Sequence, residues 1–313
     1  MKASALSVPL SLADRVILVT GGAGDIGSSI AARAASMGAT VIIADNGAGV
    51  TGGDQDSEHV MAVAKQLADA HGDVSGYYCD VTDPDQVASM FTDLFDQHGN
   101  VDTVVAAAGT LRVMPIWEST LDDWRSVVDS HATHTYLVAA EASRRWRANC
   151  EQRNGQSCSL ITFTAATGLV GRPDLGVTHA AAKGAIAAMT LELAHEMYPF
   201  NVTVNAVTAA NVRGRMADHV GARVSQEGDT FDSSSPEHSA ILSAYLATED
   251  ASWITGQVFR VMGGMIGRYS PWDVKESIDK QDFWSIEEVR LGLRRLHGAY
   301  PEYKALQGPH REF

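Results

Sequence analysis

Short apolar runs alternate with stretches of helical character along most of this chain, and that alternation constrains its fold more than any other property. The runs are Arg15 to Val19, Thr40 to Ala44, Val74 to Cys79, Val101 to Ala107, Ser159 to Thr164, Val202 to Val207 and Gln257 to Met262. Between them lie helical patterns over Ile26 to Met37, Ser57 to His71, Pro84 to His98, the region from Leu121 to Asn149, and His179 to Met197. Strands that are apolar throughout are strands buried on both faces, which a parallel sheet with helices on either side provides. The expected fold is therefore a doubly wound α/β sheet of the Rossmann type, with Gln257 to Met262 closing it. No linker divides the chain, so one domain over 10–267 is expected, followed by an extension over 268–313.

At 313 residues, 45% hydrophobic and 20% charged, the chain is long enough to bury such a core. Its net charge of -14 argues against nucleic acid, whose phosphates demand a basic footprint. The run Arg144-Arg145-Trp146-Arg147 reads either as the solvated face of a helix or as a contact for an anionic substrate. Cys79, Cys150 and Cys158 have no metal-binding spacing, and an odd count fits a reducing compartment. Met1 to Pro9 lacks the apolar core of a secretory signal, and no apolar run reaches the ~18 residues that span a bilayer. A cytoplasmic chain with a small-molecule substrate, and no membrane partner, is the expectation.

Two segments interrupt the regular units. Asn46 to Asp56 is rich in glycine and reads as a loop inserted after the second strand. Val212 to Pro236 is polar, contains Gly214, Gly221 and Gly228, and is either a mobile lid or a surface excursion. In the extension, Ser285-Ile286-Glu287-Glu288 is a capping box that starts a short helix, which Gly298 would end. Trp272, Phe283 and Trp284 are expected to pack this tail on the domain or on a neighbouring subunit.

Thr20-Gly21-Gly22-Ala23-Gly24-Asp25-Ile26-Gly27 stands between a strand and a helix, where a phosphate-binding turn belongs. Glycines there let backbone N–H groups approach a pyrophosphate at the helix N-terminus. Asp45 ends the second strand, where a carboxylate accepts ribose hydroxyls and repels a 2′-phosphate, which points to NAD (as NADH) over NADP. A turn-capping aspartate is the other reading of Asp45.

These residues, with those that follow, give the chain a resemblance to the short-chain dehydrogenase/reductases over nearly its whole length. The first motif is similar to TGxxxGxG, with Asp25 in place of the middle glycine. Asp80-Val81 resembles the pair that holds the adenine, and Ala106-Ala107-Ala108-Gly109 stands where the family has NNAG. The cofactor contacts so implied are Thr20, Gly21, Gly24, Asp25, Ile26, Gly27, Asp45, Asp80, Val81, Ala108, Gly109 and Lys183. The insert after Asp45, the run Ala108-Gly109-Thr110-Leu111-Arg112 and the tail after Gly264 resemble the (3R)-hydroxyacyl-CoA dehydrogenase branch. In that branch a histidine commonly replaces the catalytic asparagine, and His131, seven residues after Trp124, falls there.

The resemblance implies a Ser and a Tyr at the reacting end, and both are replaced. His179 stands at the tyrosine, in Thr178-His179-Ala180-Ala181-Ala182-Lys183, and the serine falls on Ala165 or Ala166. Lys183 remains, four residues on and so on the same helical face as His179. Imidazole, with an ordinary pKa of ~6.5, can exchange a proton near neutrality, and a lysine beside it favours the neutral form. Its ring nitrogen reaches roughly 2 Å less far than a phenol oxygen, and misplacement of that order can cost ~10²-fold. Thr208-Ala209-Ala210-Asn211 replaces the Pro-Gly that shapes the nicotinamide pocket in many relatives.

Near His179 the sequence offers His131 and His134, three apart on a helix, with Thr164 and Thr167 as sources of a hydroxyl. Two histidines without a third ligand do not make a metal site, so none is expected. Three readings stay open: an NAD-dependent oxidoreductase of hydroxy- or keto-bearing acyl or polyketide-like substrates using His179; a non-redox cyclase, isomerase, dehydratase or lyase using His179 or His131; and a catalytically silent homologue. The family resemblance also implies a homodimer or homotetramer, and the Ala-rich face from Ala180 to Ala188 suits close helix packing.

Overall fold

A computed structural model describes residues 10–171, 175–225, 231–270, 272–274 and 276–297. Among them, eight strands form one sheet in the order β3-β2-β1-β4-β5-β6-β7-β8. The first seven are β1 (Val16–Thr20), β2 (Thr40–Asp45), β3 (Val74–Tyr78), β4 (Thr103–Ala106), β5 (Cys158–Thr164), β6 (Val202–Ala209) and β7 (Gln257–Met262), all paired in parallel. Strand residues alternate between two cores, as a pleat of period two requires. Ile17 and Val19 face a cluster with Ile30 and Ala34 of helix α1 (Asp25–Ser36) and Leu242 and Leu246 of α9 (Glu237–Leu246). Leu18 faces the other, with Phe91 of α3 (Pro84–His98) and Val138, Ala142 and Trp146 of α5 (His134–Ala148). Both faces are thereby covered, and this is the doubly wound fold expected from the sequence.

Helices α2 (Ser57–His71) and α3 begin at the capping aspartates Asp56 and Asp83, whose carboxylates accept the first amides of each helix. In three places the structure departs from the sequence reading. The sheet does not close at β7, because the Gly263-Gly264 turn lets β8 (Met265–Arg268) fold back antiparallel as its edge. The polar stretch after β6 ends in α9, whose Ala- and Ser-rich pattern hid a buried helix; before it lies the short α8 (Arg215–His219). Between the helices expected from Leu121 to Asn149 lies a turn the sequence did not announce: α4 (Leu121–Val128) passes through a π-turn at Asp129–Thr133 before α5. Helix α7 (Gly176–Met197) starts three residues ahead of His179, and α6 is a single turn, Thr167–Val170.

Within 212–236, Arg213 pairs with Asp232 at 2.7 Å, and the Ser225 hydroxyl donates to the same carboxylate. Gly228 of that stretch lies outside the described residues. The chain divides after Tyr269 into two compact units. In the second, α10 (Ile286–His297) carries the expected capping box: Glu288 N donates to Ser285 Oγ and Ser285 N to Glu288 Oε2. Gly298 lies outside the described residues. No helix among those described is long and apolar enough to cross a membrane.

Candidate active site

Strand order reverses between β1 and β4, and the ends of those strands open the crevice in which doubly wound proteins hold ligands. Gly21 makes this possible. Its φ is +68°, and a Cβ there would stand 2.5 Å from the Ala108 backbone. The turn after β1 therefore lies directly on the end of β4. Gly24 caps α1 without a side-chain bond, so the first amides of that helix, at Asp25, Ile26 and Gly27, are left for an anion. The cradle fits a pyrophosphate.

At the end of β2, Asp45 accepts from Ala23 N at 3.0 Å and from Gly47 N at 2.9 Å. It thus caps a turn, and each oxygen keeps a second lone pair for a ribose hydroxyl. Asp80 accepts from Gln55 Nε2 at 2.8 Å and from the amide and hydroxyl of Thr82, beside the buried Val81. Gln55 belongs to the glycine-rich insert, which also docks on the end of β4: Leu111 N donates to Val50 O at 2.8 Å. Two of the three segments that resembled the hydroxyacyl-CoA branch, the insert after Asp45 and the run Ala108 to Arg112, are therefore one structural feature.

The histidines meet at the other end of the crevice. His131 sits in the π-turn, and its Nε2–H donates to Thr110 O at 2.8 Å. Thr110 is fixed in turn by its amide and hydroxyl, both bonded to Ser130 Oγ. The imidazole lies against Gly109, where a Cβ would come within 1.9 Å of Cε1. With Nε2 protonated, Nδ1 of His131 is a bare acceptor, buried and without a hydrogen-bond partner. His179 meets it edge to face, and its Nδ1 lies 3.2 Å from Thr167 Oγ1. His134 points elsewhere: its Nε2 is 2.7 Å from Thr20 Oγ1, which ties the site helix to the end of β1. Thr164 does not offer its hydroxyl to the site, since it donates to Lys183 O at 2.6 Å; Thr167 reaches the imidazole instead. Lys183 Nζ donates to Phe163 O at 2.7 Å.

Burial, with no carboxylate among them, sets the charge of these groups. It pushes Lys183 down to about 7. Burial first, and the Lys183 ammonium second, bring His134 and His179 to about 3 and His131 well below its ordinary value. The sequence anticipated the lysine's influence on His179, but desolvation is the larger cause. All three imidazoles are neutral at physiological pH, and the lysine is the group that titrates there. Among the described residues, no group of three or more metal-ligating side chains comes together. The Thr110 carbonyl and the contact on Gly109 were not read as site features, although both lie in the run Ala108 to Arg112 that had been singled out.

Comparison with known proteins bears on the same region. Residues 21–266 match the family model described as enoyl-(acyl carrier protein) reductase. The chain is 30% identical, over 82% of its length, to the 3-oxoacyl-(acyl-carrier-protein) reductase FabG of Aquifex aeolicus, 99% of which is covered. It is also 30% identical, over 96% of its length, to the hydroxyacyl-CoA dehydrogenase ChsB1 of Mycobacterium tuberculosis, 92% of which is covered. A short chain dehydrogenase from Mycobacterium avium has a similar structure, with a TM-score of 0.78 and 28% identity over 92% of this chain and 96% of that one.

Proposed function

The chain belongs to the short-chain dehydrogenase/reductase family of oxidoreductases, and on that premise we propose that it acts on hydroxyacyl or ketoacyl compounds with NAD(H), using His179 where the family uses tyrosine. The substrate class follows the relatives, whose names carry oxoacyl and hydroxyacyl groups. The preference for NAD(H) follows Asp45, whose carboxylate would meet a 2′-phosphate with like charge. The bound dinucleotide would supply the hydride acceptor for alcohol oxidation or the donor for ketone reduction. Thr20, Gly21, Gly24, Asp25, Ile26, Gly27, Asp45, Asp80, Val81, Ala108, Gly109 and Lys183 form the surface that would hold it.

The observation that carries the reading is the pairing of His179 with Thr167, one helical turn from Lys183. With Nδ1–H donating to the Thr167 hydroxyl, Nε2 is the bare nitrogen left for a substrate oxygen. In oxidation Nε2 takes the alcohol proton to give the imidazolium; in reduction the imidazolium, charged by a proton from solvent, returns that proton from Nε2 to the forming alkoxide. Neither Ala165 nor Ala166 has a hydroxyl for the oxyanion. The His179 N–H and the Lys183 ammonium are the polar groups left to stabilise it.

The test is single-turnover reaction of acetoacetyl-CoA with 4-deuterated NADH. Deuterium in the hydroxyacyl product from the wild type, and none from His179→Ala, is expected; nucleotide consumption unaffected by His179→Ala would overturn the assignment. A second reading rests on the unpartnered Nδ1 of His131, a buried base whose orientation is set by Thr110. It makes the protein a non-redox enzyme, a cyclase, isomerase, dehydratase or lyase. That reading predicts turnover without nucleotide consumption and dependence on His131.

A further inference from the structure

Asp25, which stands where the family has glycine, reaches from the phosphate-binding turn to the segment after β6. Its Oδ2 accepts from Arg215 N at 2.9 Å. Gly214 permits that approach: its φ is +149°, and a Cβ there would lie 2.3 Å from the same oxygen. The consequence is that the Arg215 guanidinium hangs over the N-terminus of α1, with Nη2 3.7 Å from where a Cβ on Gly24 would stand. Among the described residues this guanidinium is in no ion pair. A free planar cation is thus held above uncapped helix amides, at the place where the crevice would take a pyrophosphate.

We propose that Arg215 is a ligand of the cofactor's pyrophosphate and that Asp25 is its positioning residue. The proposal rests on the dinucleotide reading given above. It also gives a physical account of a carboxylate in an anion-binding turn. One oxygen of Asp25 is engaged by a backbone amide, and the cation that this bond draws in offsets the remaining charge. Arg215, unlike the turn amides, belongs to a different part of the chain, so the bound phosphates would join the two.

Titration of the full-length protein with NADH, followed by nucleotide fluorescence at low and high salt, tests this. Arg215→Gln is expected to raise Kd roughly tenfold, the loss of one charge-assisted contact, and to flatten its salt dependence. Asp25 gives a test of sign. If it only repelled the phosphates, Asp25→Ala would tighten binding; as a positioning residue it must weaken binding, and Asp25→Asn, which keeps the acceptor oxygen for Arg215 N, must restore it. Wild type that binds NADH with Arg215→Gln binding equally well would overturn the role of Arg215 alone. Wild type that binds no NADH would overturn the dinucleotide reading and this proposal together. Thermal melts of each variant separate loss of binding from loss of fold.

Discussion

His131 and His179 meet edge to face, with ring centroids 5.4 Å apart and planes at 88°. One ring is oriented by a backbone carbonyl and the other by a threonine hydroxyl, so two imidazoles of fixed orientation stand side by side. A serine and a tyrosine would divide the same work differently.

Removing the base from each ring in turn should separate their roles. If His179 exchanges the proton, His179→Ala lowers kcat by about 10²- to 10⁴-fold, the usual worth of a positioned acid or base, while Kd for NADH stays within a few fold. His131→Gln should have a smaller effect on kcat. A reversed ranking in steady-state kinetics would move the chemistry to His131.

The pH dependence near neutrality should belong to Lys183 rather than to any imidazole, since burial brings the lysine to about 7 and holds His134 and His179 at about 3. Ketone reduction measured as kcat/KM should therefore fall as pH rises through that region and the ammonium is lost. In Lys183→Arg the inflection should disappear, because a guanidinium stays charged. An inflection retained in Lys183→Arg would contradict the assignment.

Acid stability provides an independent check. His134 and His179 titrate near 3 when folded and near 6.5 when unfolded, so between those values the unfolded chain binds more protons. Stability is complete above the unfolded pKa and is lost as pH falls, by about 1.4 kcal/mol per pH unit for each such group. His134→Leu, which loses the bond to Thr20, should be less stable at pH 8 yet show a shallower fall between pH 6 and 4. Chemical denaturation across that range measures both.

Gly109→Ala should destabilise the protein by roughly 1–3 kcal/mol, because its methyl would occupy the place of the His131 ring. Adding His131→Ala to it should recover much of that loss, a coupling that a double-mutant cycle detects. Strict additivity of the two changes would show that the glycine serves some other contact.

Asp45→Ala should narrow the preference for NADH over NADPH, as the like charge facing a 2′-phosphate is lost. Because Asp45 also holds Ala23 N and Gly47 N, affinity for NADH should fall as well. Parallel calorimetric titrations give both numbers.

Much of this was legible in the chain. The strands from β1 to β7 and the helices α1, α2 and α3 were readable because buried parallel strands are apolar throughout and each helix has a clear start. Helix α9 was not, since Ala and Ser serve a buried helix and a polar loop alike. The site was legible by residue but not by contact. His131, His134, His179 and Lys183 could be named from spacing, whereas spacing could not choose between Thr164 and Thr167 as the hydroxyl that reaches the imidazole. It also could not show that His131 and His134 turn to different partners, Thr110 and Thr20. Those directions depend on tertiary packing and on a local change of helical winding.

That winding has a consequence for how the protein can change. A π-turn holds one residue more than an α-turn, so Asp129–Thr133 is in effect a stored insertion. Deleting a single codon there, for instance that of Ala132, would let α4 run regularly into α5 with both helices in their present phase, and only the residues of the turn itself would be re-aimed. His131 would leave Thr110 and Gly109, while His134 kept its place beside Thr20. A one-residue deletion that leaves the fold standing would thus disconnect one histidine from the other two, which makes the length of this turn as binding a constraint on descent as the identity of any residue within it.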